Sequence, residues 1–196
     1  LAKQILPRAR IIALREKLAG VKVLEAAGAK DNFLVTGDDA IELAYHTRFS
    51  QLGNKIGINL RISNYSNFDS EFIAIIREVV RELSQVHHAE VTPIPISCHS
   101  EDSDVKSLQT LLGNTVQVDC PKSPKTIIEL CAECRVVITG SYHAGLFALS
   151  QGVSVIGLAG SQYYVDKFTG LKEQFGPGGN LVEFPQDNFK AKLSAT

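Results

Sequence analysis

The sequence lacks several features by which protein classes are commonly recognised. It contains no Trp and no Met, only four Cys, and 21 acidic residues against 20 basic ones. A formal charge of −1 provides no basic surface for nucleic acid or for an anionic membrane. Because the chain begins at Leu1 and has no Met anywhere, we interpret it as a piece of a longer protein.

Long hydrophobic runs are also missing. The longest mostly apolar stretch, 143–160, is interrupted by Ser150, Gln151, Gly152 and Ser154, whereas a membrane-spanning helix needs about 20 apolar residues. The first residues do not show the pattern of a secretory signal, in which a positively charged start is followed by an apolar core. We therefore expect no transmembrane segment, no nucleic-acid partner and a cytoplasmic location.

The cysteines are too few and too unevenly spaced for a disulfide framework, so a reducing compartment fits better. Cys131 and Cys134 have the spacing of half a zinc site. Cys98, His99 and Cys120 could complete such a site only if the fold brought them together. Two cysteines on the buried side of a helix end are the simpler interpretation, and we expect no metal site.

Three catalytic signatures are absent as well. Neither a Gly-x-Gly-x-x-Gly fingerprint nor a P-loop is present, which argues against a dinucleotide or nucleoside-triphosphate enzyme. A serine hydrolase of the α/β type would carry a Gly-x-Ser-x-Gly elbow. Ser141 and His143 are near neighbours without it.

What the chain does contain is a regular alternation of short apolar segments with helical patterns. The predicted strands are 11–14, 33–35, 55–60, 90–96, 116–118, 136–138, 153–158 and 180–184. This order predicts an α/β, Rossmann-like fold, with a mostly parallel sheet and helices on both faces. Because 45–54 is polar and fits neither period, we place a domain boundary there, between 1–48 and 49–196.

Polar residues follow the predicted strands, and parallel strands bring such residues to one edge of a sheet. They are Asp38, Asn59, Arg61, His99, Ser141, His143 and Ser161. Arg61, with Ser63 and Asn64 close by, suits anion binding, and the pKa of a histidine such as His143 suits acid–base work. Capping of the next helix is an equally good interpretation of Asp38.

Six segments carry a resemblance that runs from about Arg10 to Phe184. They are Arg15-Glu16, Thr36-Gly-Asp-Asp-Ala, Ile56-Gly-Ile-Asn-Leu-Arg61, Thr139-Gly-Ser-Tyr-His-Ala-Gly-Leu-Phe-Ala-Leu-Ser-Gln-Gly-Val-Ser-Val-Ile-Gly-Leu, Ser161-Gln-Tyr-Tyr and Lys167-Phe-x-Gly-Leu. In their order and spacing they resemble the polysaccharide pyruvyl transferases. That family has two Rossmann-like domains facing each other in a glycosyltransferase-B-like arrangement. Its members move the enolpyruvyl unit of phosphoenolpyruvate onto two hydroxyls of a sugar and release phosphate.

The resemblance implies a transferase of exopolysaccharide biosynthesis, with a small-molecule donor, a carbohydrate acceptor and no cofactor besides phosphoenolpyruvate. It implies that 1–48 is the tail of the first domain and 49–196 the second domain. His143 becomes the candidate catalytic residue. The candidate substrate-binding residues are Arg61, Asn59, Ser141, Tyr142, Ser161, Tyr163, Lys167, Asp38 and His99.

One position departs from the family pattern. Many members read Ser-Arg-Leu-His where this chain has Ser141-Tyr142-His143, so the anion clamp expected from that arginine is absent. Two alternatives stay open, because one fold can serve several functions. They are a glycosyltransferase that uses a nucleotide sugar and a non-catalytic module for sugar binding or assembly.

Overall fold

The computed structural model describes residues 1–29, 32–51, 53–62, 68–99, 103–184 and 188–195. Its strands are β1 Ile12–Leu14, β2 Phe33–Val35, β3 Lys55–Asn59, β4 Val91–Pro93, β5 Cys134–Thr139, β6 Ser154–Ala159 and β7 Gly179–Glu183. Its α-helices are α1 Ala2–Ile5, α2 Lys17–Ala27, α3 Ala40–His46, α4 Ser70–His87, α5 Asp104–Leu112, α6 Pro124–Ala132, α7 Tyr142–Ser150, α8 Gln162–Phe175 and α9 Phe189–Ala195. Ser63 and Asn64 lie outside the described residues.

The strands form two separate parallel sheets. β1 pairs with β2, while the larger sheet has the order β4-β3-β5-β6-β7. From β3 the chain crosses to β4 on one side and then returns to β5 on the other side of β3. Such a reversal opens a crevice at the carboxyl ends of the two central strands. Here Asn59 and Thr139 are paired at that crevice.

Helices cover both faces of the five-stranded sheet. Val137 and Val155 pack with the buried residues of α6, α7 and α8, whereas Ile138 and Ile156 pack with those of α4, α5 and α9. Neighbouring residues of a strand point to opposite faces, so a sheet covered on both sides needs continuous apolar strands. The α/β prediction with a parallel sheet is confirmed.

Helix α8 lies very close to β6 because Gly157 has no side chain. A Cβ atom at Gly157 would lie 2.5 Å from the ring of Phe168, well inside van der Waals contact. Phe168 is buried in the core, and the adjacent Lys167 is carried to the carboxyl edge of the sheet at the start of α8. Close packing of helix on strand therefore fixes the position of this cation.

The small sheet and its helices contact the larger unit, and Glu16 and Gln151 illustrate how. Glu16, just after β1, lies against Gly170 of α8, where a glycine Cβ would come within 3.3 Å of the Glu16 Cβ. The buried amide of Gln151 donates to the Ala44 carbonyl at 2.8 Å and accepts from the Phe49 N–H at 3.2 Å. These contacts bring the carboxyl ends of β1 and β2 toward the larger sheet.

Two details differ from the sequence prediction. Residues 116–118 do not form a strand. Val118 is instead a buried core residue that packs with the residues around α4 and α5. Helix α9 was not predicted, because its seven residues give only one apolar pair, Phe189 and Leu193. β4, which ends at Pro93, is an edge strand of the larger sheet, where a proline is tolerated. Among the described residues, no helix has the length and apolar character needed to cross a membrane.

Candidate functional site

A buried polar network fills the crevice between β3 and β5. The Asn59 side chain is fully buried and donates to the Ile94 carbonyl and to Asp104, both at 2.9 Å. The hydroxyl of Thr139 donates to the Asn59 side-chain oxygen at 3.1 Å. Because a buried polar group without a partner is costly, this pairing makes Asn59 a rigid link between the two strands.

Asp104, at the first residue of α5, is the centre of this network. Its carboxylate is fully buried and accepts from the Arg61 Nε at 2.8 Å and from the backbone N–H groups of Ile96 and Ser97 at 2.8 and 3.0 Å. Hydrogen bonds between charged groups are the strong kind. The network, Asn59 included, therefore fixes Arg61, which is partly exposed at the rim.

Two helices, α7 and α8, begin at this carboxyl edge of the sheet, and the serine hydroxyl before each helix does not cap it. The Ser141 N–H donates to the Thr139 hydroxyl at 2.8 Å, but the Ser141 side chain does not cap α7. Ser161 stands likewise at the start of α8 without capping it. The first N–H groups of a helix have no partner inside it and attract anions, so both helix starts can face an anionic ligand.

His143, in the first turn of α7, is exposed and lies edge-on to Tyr142, with ring centroids 5.5 Å apart. Loss of water around the ring is the largest cause that lowers the pKa of His143 below 6.5. Asp38 opposes this change in pKa, whereas Arg15 and Lys167 add to it. His143 is therefore neutral at neutral pH and can accept a proton.

Tyr142 is an aromatic platform for two cations. Its side chain is only 4% exposed, and the Arg15 guanidinium lies 4.4 Å from its ring centroid. The Lys167 ammonium lies 5.8 Å from the same centroid and 4.1 Å from that of Tyr163. Burial raises the pKa of Tyr142 to about 12, so this side chain stays neutral and acts through its ring.

Asp38 joins the small sheet to this cluster. Its carboxylate lies 3.7 Å from the Arg15 guanidinium and accepts from the Ala40 N–H at 3.0 Å, which confirms the capping interpretation. Asp39 makes no side-chain cap. Arg15 follows β1 and Asp38 follows β2, so residues from the carboxyl edges of both sheets meet around Tyr142 and His143.

The family model for polysaccharide pyruvyl transferase matches residues 1–162 of the 196-residue chain. The chain belongs to this family. The match spans β1 to β6 and every residue of the crevice network, and it ends at the start of α8. A search of the curated proteins finds no match.

In this pyruvyl transferase family member, the structure arranges the predicted site residues as two groups. The first group lies around the ring of Tyr142. Besides that residue it contains Asp38, His143, Tyr163 and Lys167. Arg61 and Asn59 form the second group, which is linked to Ser141 through Thr139.

His99 belongs to neither group. It is exposed beside Cys98, and no hydrogen bond or ion pair involves it within the described ranges. Ser161 stands at the start of α8, one residue before the match ends. The assignment of substrate-binding roles to both residues stays a prediction.

The cysteines differ from the sequence expectation at one pair. Cys98 and Cys120 form a disulfide with a Cα–Cα distance of 6.0 Å, because the loop after β4 and the segment before α6 meet at the surface. Cys131 and Cys134 are buried thiols; burial raises the pKa of both, that of Cys134 to about 12. In the part of the chain that the structure describes, no three His, Cys, Asp or Glu residues cluster as metal ligands.

Two functional candidates were not assigned from the sequence. Asp104 lies in the polar stretch after β4, and its position at the same edge as Arg61 was the available signal. Arg15 entered only as part of a family motif, although it follows β1 just as Arg61 follows β3. In the structure, Arg15 lies over the ring of Tyr142, with its guanidinium carbon 4.4 Å from the ring centroid.

Proposed function

We propose that this protein transfers the pyruvyl unit of phosphoenolpyruvate onto two hydroxyls of a sugar during exopolysaccharide biosynthesis. The observation that carries the proposal is that His143, Arg15 and Lys167 all adjoin the ring of Tyr142, in a chain of the pyruvyl transferase family. A trianionic donor needs cations, and ketal formation needs a group that moves protons.

The reaction balances without an oxidant or reductant. A proton adds to the terminal carbon of the enol, and the first sugar hydroxyl forms a bond to the adjacent carbon while losing its proton. The carbon–oxygen bond to phosphate then breaks, and the second hydroxyl attacks the same carbon. One of the two hydroxyl protons replaces the proton consumed at the terminal carbon, and the other leaves on the released phosphate.

His143 is the proposed proton carrier. With the donor bound, the imidazolium can deliver its proton to the terminal carbon, and the neutral ring that results can take the proton of the attacking hydroxyl. Negative charge on a bound donor offsets the positive charges of Arg15 and Lys167, which lower the pKa of His143 in the free protein. Donor binding then raises the pKa of His143 and prepares it as an acid.

Anion binding is assigned to groups on three elements. Arg61 is held at the rim by Asp104, and Lys167 stands on α8 over Tyr163. The N–H groups at the start of α7, after Ser141, add donors that need no reorganisation. The remaining rim groups, including Asn59, Ser161, Tyr163, Asp38 and His99, stay in the proposed substrate-binding set.

Tyr163 is the best placed of these for the acceptor. Its ring is 62% exposed, and a flat aromatic surface offers an apolar face to the C–H groups of a sugar while its hydroxyl offers a hydrogen bond. The reaction as proposed uses phosphoenolpyruvate as its donor and no other cofactor.

The test is phosphate release from phosphoenolpyruvate in the presence of methyl galactoside, methyl glucoside or methyl mannoside as acceptor. We expect release by the wild-type protein and a loss of about 100-fold or more in H143Q, since general acid–base catalysis contributes about that much. His87→Gln is the matched control, because His87 lies at the far end of α4.

Equal rates in wild type and H143Q would remove His143 from the mechanism. Sugar transfer from UDP-glucose or UDP-galactose, without phosphate release from phosphoenolpyruvate, would replace the proposal by the glycosyltransferase alternative.

A further inference from the structure

A cavity lies at the amino edge of the five-stranded sheet, opposite to the edge that carries His143. Its volume is about 710 Å³, and it is lined by residues at the starts of β3, β5 and β6 and at the ends of α4 and α9. Cavities of this size are typical of small-molecule sites. Because the three strands are parallel, the whole sheet separates this cavity from the candidate active site.

The floor of the cavity is apolar. Ile56, Val136 and Ile156 come from three neighbouring strands and line the cavity from the sheet. Leu83 of α4 and Leu193 of α9 line it from the helices, and all five residues belong to the same core cluster. A hydrocarbon chain lying on this floor would be removed from water, which favours its binding.

Arg135 lines this cavity because β5 is irregular at its start. Lys55 pairs with Cys134, whereas the next residue of β3, Ile56, pairs with Val136, so that Arg135 is an extra residue between the two pairs. Neighbouring side chains of a regular strand point to opposite faces, yet Arg135 and Val136 both line the cavity. A bulge of this kind changes the direction of a side chain, and here that side chain is a cation.

The charge of Arg135 is not neutralised by a neighbour. Arg135 is exposed, and it makes no ion pair with any residue that the structure describes. Glu133, two residues before it, is paired with Lys55 at 2.9 Å. Among the described residues that line the cavity there is no carboxylate, and Ser154 adds a neutral hydroxyl. The lining therefore favours an anion over a cation.

We propose that this cavity binds a small carboxylate that carries a linear hydrocarbon chain. The planar guanidinium of Arg135 holds the carboxylate through two parallel N–H donors, and the chain lies on the apolar floor. A small inorganic anion would leave the floor in water, and a neutral chain would leave the cation unused. The proposal concerns the edge of the sheet opposite to the active site, so it does not rest on the proposed function.

The test is an NMR titration of the purified, isotope-labelled protein with octanoate, followed at the backbone amides of Val136 and Ser154. We expect saturable shifts at both. Propionate has the same charge and a shorter chain, and octylamine has the same chain and the opposite charge, so both should bind about 10-fold or more weakly. Equal affinities for octanoate and octylamine, or no binding of octanoate, would overturn the proposal.

Two variants test the cavity itself. R135Q should bind octanoate about 5-fold or more weakly, because a charged donor is lost. Its matched control is R81Q, which removes an exposed cation of α4 that does not line the cavity and should bind as the wild type does. S154F places a ring at the start of β6 within the cavity and should abolish binding. An unchanged affinity in R135Q would overturn the proposal, and this variant decides the matter if the melting temperature shows that S154F is unfolded.

Two further measurements exclude other sites and sources. H143Q should bind octanoate as the wild type does, whereas loss of binding in H143Q would place the ligand at the carboxyl edge and contradict the proposal. Vesicles of phosphatidylcholine and phosphatidylglycerol distinguish a free carboxylate from a membrane surface. We expect no co-sedimentation with them, and co-sedimentation that R135Q abolishes would replace the free carboxylate by a lipid headgroup.

Discussion

The two groups of rim residues are held in place by different forces. Around Asp104, four hydrogen bonds of 2.8 to 3.0 Å converge on a buried carboxylate. Around Tyr142, the contacts are a ring face 4.4 Å from Arg15 and a looser ion pair of 3.7 Å with Asp38. The first group belongs to one sheet, and the second joins two sheets.

This difference indicates different tasks. A buried, fully paired carboxylate is strongly directional and holds Arg61 in a fixed place. Cation–π contacts constrain direction much less, and at exposed sites they contribute only about 0.5–1 kcal/mol each. The Asp104 group is therefore a preformed support, whereas the Tyr142 group can adjust when a charged ligand arrives.

The largest expected effect is the loss of stability in Asp104→Ala. Removing this carboxylate takes one buried acceptor from Asn59, from Arg61 and from two backbone N–H groups, so we expect a loss of about 3 kcal/mol or more in the free energy of unfolding. R15Q should lose less than about 1 kcal/mol. Urea unfolding of both variants measures the contrast, and equal losses would contradict it.

The fold was predictable from the sequence because its signals are local. The apolar strands of 55–60, 136–138 and 153–158 carry their own pattern, and the long helix α4 shows its buried positions at helical spacing. Residues 116–118 misled the prediction, since a strand of three residues needs a neighbouring strand that the sequence does not reveal. Helix α9 is stabilised by packing against α4. A contact between such distant residues cannot be read from the local sequence pattern.

The site was only partly predictable, because the decisive contacts join distant residues. The position of His143 after β5 follows from strand order alone. The pairing of Arg61 with Asp104 spans 43 residues, and Arg15 meets Tyr142 from another sheet. The disulfide between Cys98 and Cys120 likewise depends on two surface segments meeting, which spacing in the sequence does not show.

Loss of the disulfide should lower the stability less than loss of the Asp104 carboxylate. The disulfide adjoins the Asp104 group but not the Tyr142 group. Cys98 follows Ser97, whose N–H donates to Asp104. The double variant C98S/C120S should lose about 2–3 kcal/mol in the free energy of unfolding, which is within the range typical of disulfides. The contacts of Lys167 with the donor, and therefore the affinity for phosphoenolpyruvate, should be unaffected.

Urea unfolding and calorimetry with phosphoenolpyruvate check this expectation together. Reduced wild-type protein is the control, because reduction opens the same disulfide without a substitution. A change in stability no larger than about 0.5 kcal/mol would show that hydrogen bonds alone hold the loop after β4.

The most direct test of the account is an NMR titration of His143 with and without phosphoenolpyruvate. The chain has five His, so the His143 signal is identified as the one absent from H143Q. We predict a pKa below 6.5 in the free protein, where partial loss of water around the ring, together with Arg15 and Lys167, favours the neutral form, and a higher pKa in the complex. A pKa of His143 that stays the same or falls when phosphoenolpyruvate binds would contradict the claim that the donor lies between these cations.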